Sequence, residues 1–206
     1  MSRLPVIVAA LIAITAISAL AVSAVYVNQG GKRNVASPPS TASQPSTGAG
    51  GGPRLAAFVL HESPEPIAEA PFQAEDGSTR DLSDWQGKWV LVNLWATWCA
   101  PCRHEMPALD RLQARLGGDE FEVVAISVDR GGFDKPKAFF EENNIEHLAL
   151  YNEKTSRISA KLSVIGMPTT VLIDPQGREV GRLAGPAEWD STAAIDMLTR
   201  VADLRS

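Results

Sequence analysis

Cysteine is nearly absent from this chain of 206 residues: Cys99 and Cys102 are the only two. That excludes a structural framework of disulfides. It also excludes a zinc site built from two cysteine pairs. Histidine is nearly as scarce, and His61, His104 and His147 stand at no metal-ligand spacing from one another. Haem attachment through C-x-x-C-H is excluded because Arg103 occupies the histidine position. Acidic residues are missing from the start of the chain, since none of the 24 Asp and Glu precedes Glu62. From Arg54 onward those 24 acids face 16 Lys and Arg, a net charge of −8. Such a surface repels phosphate, so nucleic acid is excluded as a partner.

What the chain does have begins with an uncharged run of 24 residues, Leu4 to Val27. About 20 apolar residues cross a bilayer, so the run is long enough for a transmembrane helix. Ala19-Leu20-Ala21 offers a signal-peptidase-like site, but a signal core is only about 7–15 residues long. The expectation is therefore a retained anchor over residues 1–27. Arg3 and the terminal amine before the run balance Lys32 and Arg33 after it, and the short N-terminal stub places that end in the cytoplasm. Residues 28–53, rich in Ser, Pro, Thr, Ala and Gly, read as a disordered linker. As a coil it spans roughly 26–31 Å. Residues 54–206 are then one domain.

Within that domain, order is expected from Pro71 onward. Phe72–Leu82 reads as a hairpin turning at Asp76-Gly77. Trp89–Trp95 is a near-continuous apolar run, the mark of a central strand buried on both faces. A helix after Cys99 aligns Met106, Leu109, Leu112 and Leu116 on one stripe. Then follow a strand at Phe121–Asp129, a helix at Lys135–Asn143, a strand at His147–Tyr151 and a helix at Thr155–Leu162. Thr169–Ile173 and Glu179–Leu183 flank the turn signal Asp174-Pro175-Gln176-Gly177. A last helix from about Glu188 buries Ala194, Met197 or Leu198, Val201 and Leu204. The alternation implies an α/β domain, one mixed sheet covered by helices.

A strand leading into C-x-x-C at the start of a helix is the sequence form of a thiol–disulfide redox site. Only a thiolate attacks a disulfide. Cys99, at the helix start, faces unpaired N–H groups and the positive end of the dipole, both of which favour its thiolate. It is the expected nucleophile, and Cys102, one turn inside, the expected resolving thiol. Helical residues at that spacing have Cβ atoms about 5–6 Å apart, whereas a disulfide wants roughly 3.5–4.5 Å. With Cys99 in the non-helical cap position the gap can close to give a Cys99–Cys102 disulfide. Pro101 suits the first turn, where no N–H is needed, and Pro107 removes a ladder bond farther along.

Trp95-Ala96-Thr97-Trp98-Cys99-Ala100-Pro101-Cys102-Arg103-His104-Glu105-Met106-Pro107, with Gly166-Met167-Pro168-Thr169-Thr170 downstream, resembles the thioredoxin superfamily. The narrower resemblance, over about Ala70 to Arg205, is to the membrane-anchored TlpA and ResA branch, nearest to its TlpA members. It implies a thioredoxin-like fold behind an N-terminal transmembrane helix and a flexible linker. The location implied is a bacterial inner membrane, crossed once, with the redox domain in the periplasm. The partners implied are disulfide-containing extracytoplasmic proteins, among them copper-handling factors of cytochrome oxidase assembly, and an upstream membrane electron donor. Pro168 is implied to be cis and to face the cysteines, leaving the Met167 backbone to pair with an extended substrate. Trp98, Ala100 and Pro101 join them as substrate-binding candidates. No cofactor or metal is implied.

Two departures bear on mechanism. Peroxiredoxin-type enzymes set a threonine three residues before the reactive cysteine, whereas here Ala96 stands three before and Thr97 two. The buried aspartate of cytosolic thioredoxins is replaced by Asn93, which cannot act as a base. Asn93 and Asp129, at the end of the following strand, are the positions singled out for proton handling, and Arg130 beside them favours a thiolate or an acidic partner. Pro101 before the second cysteine resembles thioredoxin more than the oxidising members, so reduction is the expected direction. The alternatives are an oxidase or isomerase and, from another class, a copper chaperone that holds metal through both thiolates.

Overall fold

The computed structural model describes residues 58–203; the expected anchor and linker, and Leu204, lie outside them. No helix among the described residues is long and apolar enough to cross a membrane. In chain order the elements are β1 (Val59–Pro66), β2 (Phe72–Ala74), β3 (Thr79–Arg80), a 3-10 turn (Leu82–Trp85) and β4 (Trp89–Trp95). Next come α1 (Ala100–Leu116), β5 (Phe121–Ser127), α2 (Asp134–Glu142), β6 (Tyr151–Asn152) and α3 (Arg157–Lys161). β7 (Thr169–Ile173), β8 (Arg178–Ala184) and α4 (Thr192–Ala202) complete the domain.

The strands form a single sheet in the order β1-β8-β7-β4-β5-β6-β2-β3. β4 runs parallel to β5 and antiparallel to β7, and six of its seven residues are buried. Val, Leu and Trp at consecutive positions leave no polar face, so the strand is stable only with cover on both sides. Trp95 supplies the largest part of that packing, stacked on Phe140 with ring centroids 5.6 Å apart. Phe72, Trp85 and Tyr151 make a second aromatic cluster that holds the β2–β3 hairpin against β6. That hairpin turns as expected, with Gly77 at φ 83°.

Four expectations need correction, and side-chain capping of backbone N–H groups explains three. The strand expected at His147–Tyr151 is only Tyr151–Asn152, because the N–H groups of His147 and Leu148 donate to the Asp110 carboxylate (2.7 and 3.0 Å) instead of to a ladder. The helix expected at Thr155–Leu162 starts at Arg157: the Glu153 carboxylate takes the N–H groups of Thr155 and Ile158, and Ser156 is left-handed at φ 59°. The final helix starts at Thr192 rather than near Glu188, since Ser191 caps it and Ala187 and Trp189 are held by Glu105. It buries Ala194 and Leu198 as expected, Ile195 besides, and leaves Met197 and Val201 half-buried.

The fourth correction is β1, where order begins earlier than Pro71. Its sequence, Val-Leu-His-Glu-Ser-Pro-Glu-Pro, has the prolines and charges of a loop, yet these are the residues an edge strand tolerates. β1 is secured through side chains: Glu179 of β8 accepts from His61 (2.7 Å) and from Arg182 (2.5 and 2.6 Å). Burial disfavours the Glu179 charge, but bonds from Arg182 and His61 outweigh it and hold the carboxyl below its ordinary range. Gly181 makes the close approach possible. A Cβ there would lie 2.7 Å from both the Val59 carbonyl oxygen and the Phe58 ring. Gly181→Ala is expected to cost about 1–3 kcal/mol, as overpacking does. The check is urea unfolding together with faster amide exchange in β1; unchanged exchange there would show that β1 does not depend on this contact.

Candidate active site

β4 ends at Trp95, and the chain turns through Ala96, Thr97 and Trp98 into Cys99, the N-cap of α1. The turn is fastened by Asp129, just past β5. Its carboxylate accepts from the Thr97 N–H (2.9 Å), the Thr97 hydroxyl (2.6 Å) and the Ser127 hydroxyl (2.8 Å). Cys99 has extended backbone angles, φ −92° and ψ 102°, and its sulfur accepts from the Cys102 N–H at 3.3 Å. A disulfide joins Cys99 to Cys102, with Cα atoms 5.3 Å apart. The two sulfur-bearing residues differ in access: Cys99 keeps 6% of its surface exposed and Cys102 none. Ala100 and Pro101 are exposed in the first turn, and α1 continues through Pro107 to Leu116.

The register of β4 with β7 sets Leu94 opposite Thr169, so Pro168 reaches the end of the sheet from which the chain enters Cys99. The Met167–Pro168 peptide is cis. Pro168 is buried and its carbonyl accepts from Gly185, whereas Met167 is half-buried and makes no backbone hydrogen bond among the described residues. Trp98, 69% exposed, and Met167 share one surface cavity of about 580 Å³. Neither cysteine lines this cavity, nor a larger one of about 690 Å³ between the β2–β3 hairpin and α2.

Glu105 is the residue that the sequence reading passed over. It lies one helical turn beyond Cys102 on the same face of α1 and is only 3% exposed. Its carboxylate accepts from Asn93 Nδ2 (2.8 Å), the Ala187 N–H (2.9 Å) and Trp189 Nε1 (3.2 Å). Burial pushes its carboxyl up to about 7, against the opposing effect of bonds from Ala187, Asn93 and Trp189. Asn93, singled out for proton handling, is instead a donor to Glu105 and to the Thr170 hydroxyl (3.0 Å), while its buried Oδ1 has no partner among the described residues. Asp129, the other position singled out, spends its hydrogen bonds on the Thr97 turn. The signal for Glu105 was available: a carboxylate inside the apolar stripe of a helix needs buried donors.

The model of the AhpC/TSA family matches residues 64–178. The chain belongs to that family. Among its AhpC/TSA relatives, the thiol-disulfide oxidoreductase ResA of Oceanobacillus iheyensis is 37% identical over 102 residues, 50% of this chain and 52% of ResA. The thiol:disulfide interchange protein HelX of Rhodobacter capsulatus is 36% identical over 136 residues, 65% of this chain and 70% of HelX. The chain spans about half the length of ResA and of the thioredoxin-like protein YneN of Bacillus subtilis. A crystal structure of a thiol:disulfide interchange protein of the thioredoxin family from Chlorobium tepidum overlays with a TM-score of 0.56 at 26% identity. It covers 69% of this chain and 98% of that one. The fold is thioredoxin-like.

Glu105 gives the site a measurable signature. The unfolded chain ionises this group near 4.5 and the folded one near 7, so between those values only the folded protein holds the proton. Stability conferred by the neutral form is therefore lost as pH rises through that window, and is constant above it. Relative to Glu105→Gln, the wild type is expected to lose roughly 3 kcal/mol of unfolding free energy across it. Urea titrations of both proteins at pH 4.5, 6 and 7.5 measure the difference. Parallel pH profiles would show that Glu105 titrates normally.

Proposed function

We propose that the protein is a membrane-tethered thiol–disulfide oxidoreductase that reduces cysteine pairs of extracytoplasmic proteins. The observation that carries this reading is the asymmetric pair, an N-capping Cys99 with a trace of exposure bonded to a wholly buried Cys102. In the reduced protein the Cys99 thiolate attacks one sulfur of a substrate disulfide, which forms a mixed disulfide and expels the other substrate sulfur as a thiolate. The Cys102 thiolate then attacks Cys99, restoring the Cys99–Cys102 bond and releasing the second substrate thiolate. Two electrons pass to the substrate, whose thiolates take up two protons. Cys102 must lose its proton to attack, and Glu105, poised near neutrality one turn away, is the group suited to accept it. The unpaired Met167 backbone suits an extended substrate segment added as a short strand.

The TlpA- and ResA-like motif Trp95–Pro107 and the uncharged run 4–27 support a single-pass anchor in a bacterial inner membrane, with the redox domain in the periplasm. The same resemblance supports cytochrome oxidase or cytochrome c assembly factors as substrates, and a membrane dithiol donor that reduces the pair again. Cys102→Ser is expected to accumulate mixed disulfides that vanish on reduction, and Cys99→Ser to trap little, on non-reducing gels of cells expressing each. The reverse pattern would exchange the two roles. The reducing direction predicts a potential near the ~−270 mV of thioredoxin rather than the ~−120 mV of strong oxidants, read by equilibration with glutathione.

A further inference from the structure

The cavity that Trp98, the residue before Cys99, helps to line also takes in Met167, Val128, Asp129, Arg130 and Lys135. Arg130 and Lys135 are exposed, and neither forms an ion pair among the described residues. Lys88, Arg111, Lys137, Arg178 and Arg182 each hold a carboxylate partner. The one acid in the lining, Asp129, is buried and already accepts three hydrogen bonds from Thr97 and Ser127. Two cations without an ion-pair partner therefore share a cavity with Trp98, the neighbour of Cys99, in a domain whose net charge from Arg54 onward is −8.

Resting on the reductase reading, we infer that Arg130 and Lys135 select substrates carrying a carboxylate side chain close to the target cysteine. A polypeptide that pairs with the Met167 backbone runs along the edge of this cavity, because Met167 is part of its lining. Carboxylates are the anionic groups that an unmodified polypeptide offers there. The surrounding negative surface repels acidic segments elsewhere, so the basic rim fixes orientation as well as affinity. Trp98 and Met167 cover the adjoining apolar side chains of the bound segment.

The test uses the full-length chain in detergent, pre-reduced and freed of reductant. It meets three synthetic peptides with one internal disulfide, identical except for Glu, Gln or Lys two positions before the first cysteine. Single-turnover rates should fall in the order Glu, Gln, Lys, with the Glu peptide roughly fivefold faster than the Gln peptide at low salt. The spread should shrink at high ionic strength. In Arg130→Glu/Lys135→Glu the order should invert, and in Arg130→Gln/Lys135→Gln it should flatten. Equal rates in the wild type, or a Glu preference that survives both double variants, would overturn the inference while leaving the reductase reading intact. Failure to reduce any of the three peptides would overturn both.

Discussion

The carboxylate of Glu105 ties α1 to parts of the fold that no backbone ladder connects to that helix. It reaches Asn93 in β4 and, through that amide, Thr170 in β7, while its other oxygen holds Ala187 and Trp189 ahead of α4. The helix that presents Cys99 is thereby fixed to the strand that precedes it and to the strand that follows the Pro168 turn. Removing an acceptor from three buried donors costs more than the bonds themselves contribute, because each donor is left dry and unpaired. The position of the redox helix and the ionisation of one acid are consequently the same structural fact.

Access at the site is divided in a way that suits sequential chemistry. Cys99 lies at the mouth of α1, where unpaired N–H groups and the dipole stabilise negative sulfur. Cys102 is inside, with none of its surface exposed. Asp129 contributes at a distance by fixing the Thr97 turn, which sets where Trp98 and Cys99 emerge. The Thr97 hydroxyl is consumed in that contact. The threonine that the peroxiredoxin comparison asks for is thus both displaced in sequence and committed to another partner.

Legibility followed the physics of each element. β4, α1 and the β7–β8 hairpin were plain because hydrophobic period and turn chemistry agreed, and the helix start could be read from Cys99, Pro101 and the preceding strand. The boundaries that failed were those decided by side-chain carboxylates: Asp110 over residues 147 and 148, Glu153 over Thr155 and Ile158, and Glu105 over Ala187. Such contacts join residues far apart in the chain or replace a helix turn, and leave no periodic trace. β1 leaves no trace either, because an edge strand needs no apolar face, and the donors that hold Glu105 lie 12 or more residues away in the chain. The cysteine pair was legible from residue type and spacing alone.

Asn93 also leaves one acceptor, Oδ1, buried and idle. An acid that titrates near neutrality presents its neighbours with two different faces, an acceptor-only carboxylate and a carboxylic acid that must donate. A rigid partner would fit one and be stranded by the other. The amide at position 93 carries both kinds of group at its tip, and its donor is the one turned towards Glu105 and the Thr170 hydroxyl. An aspartate at position 93 would set a second acid against Glu105 in place of the amide donor, so the amide is what allows the Glu105 carboxylate to be held in the core.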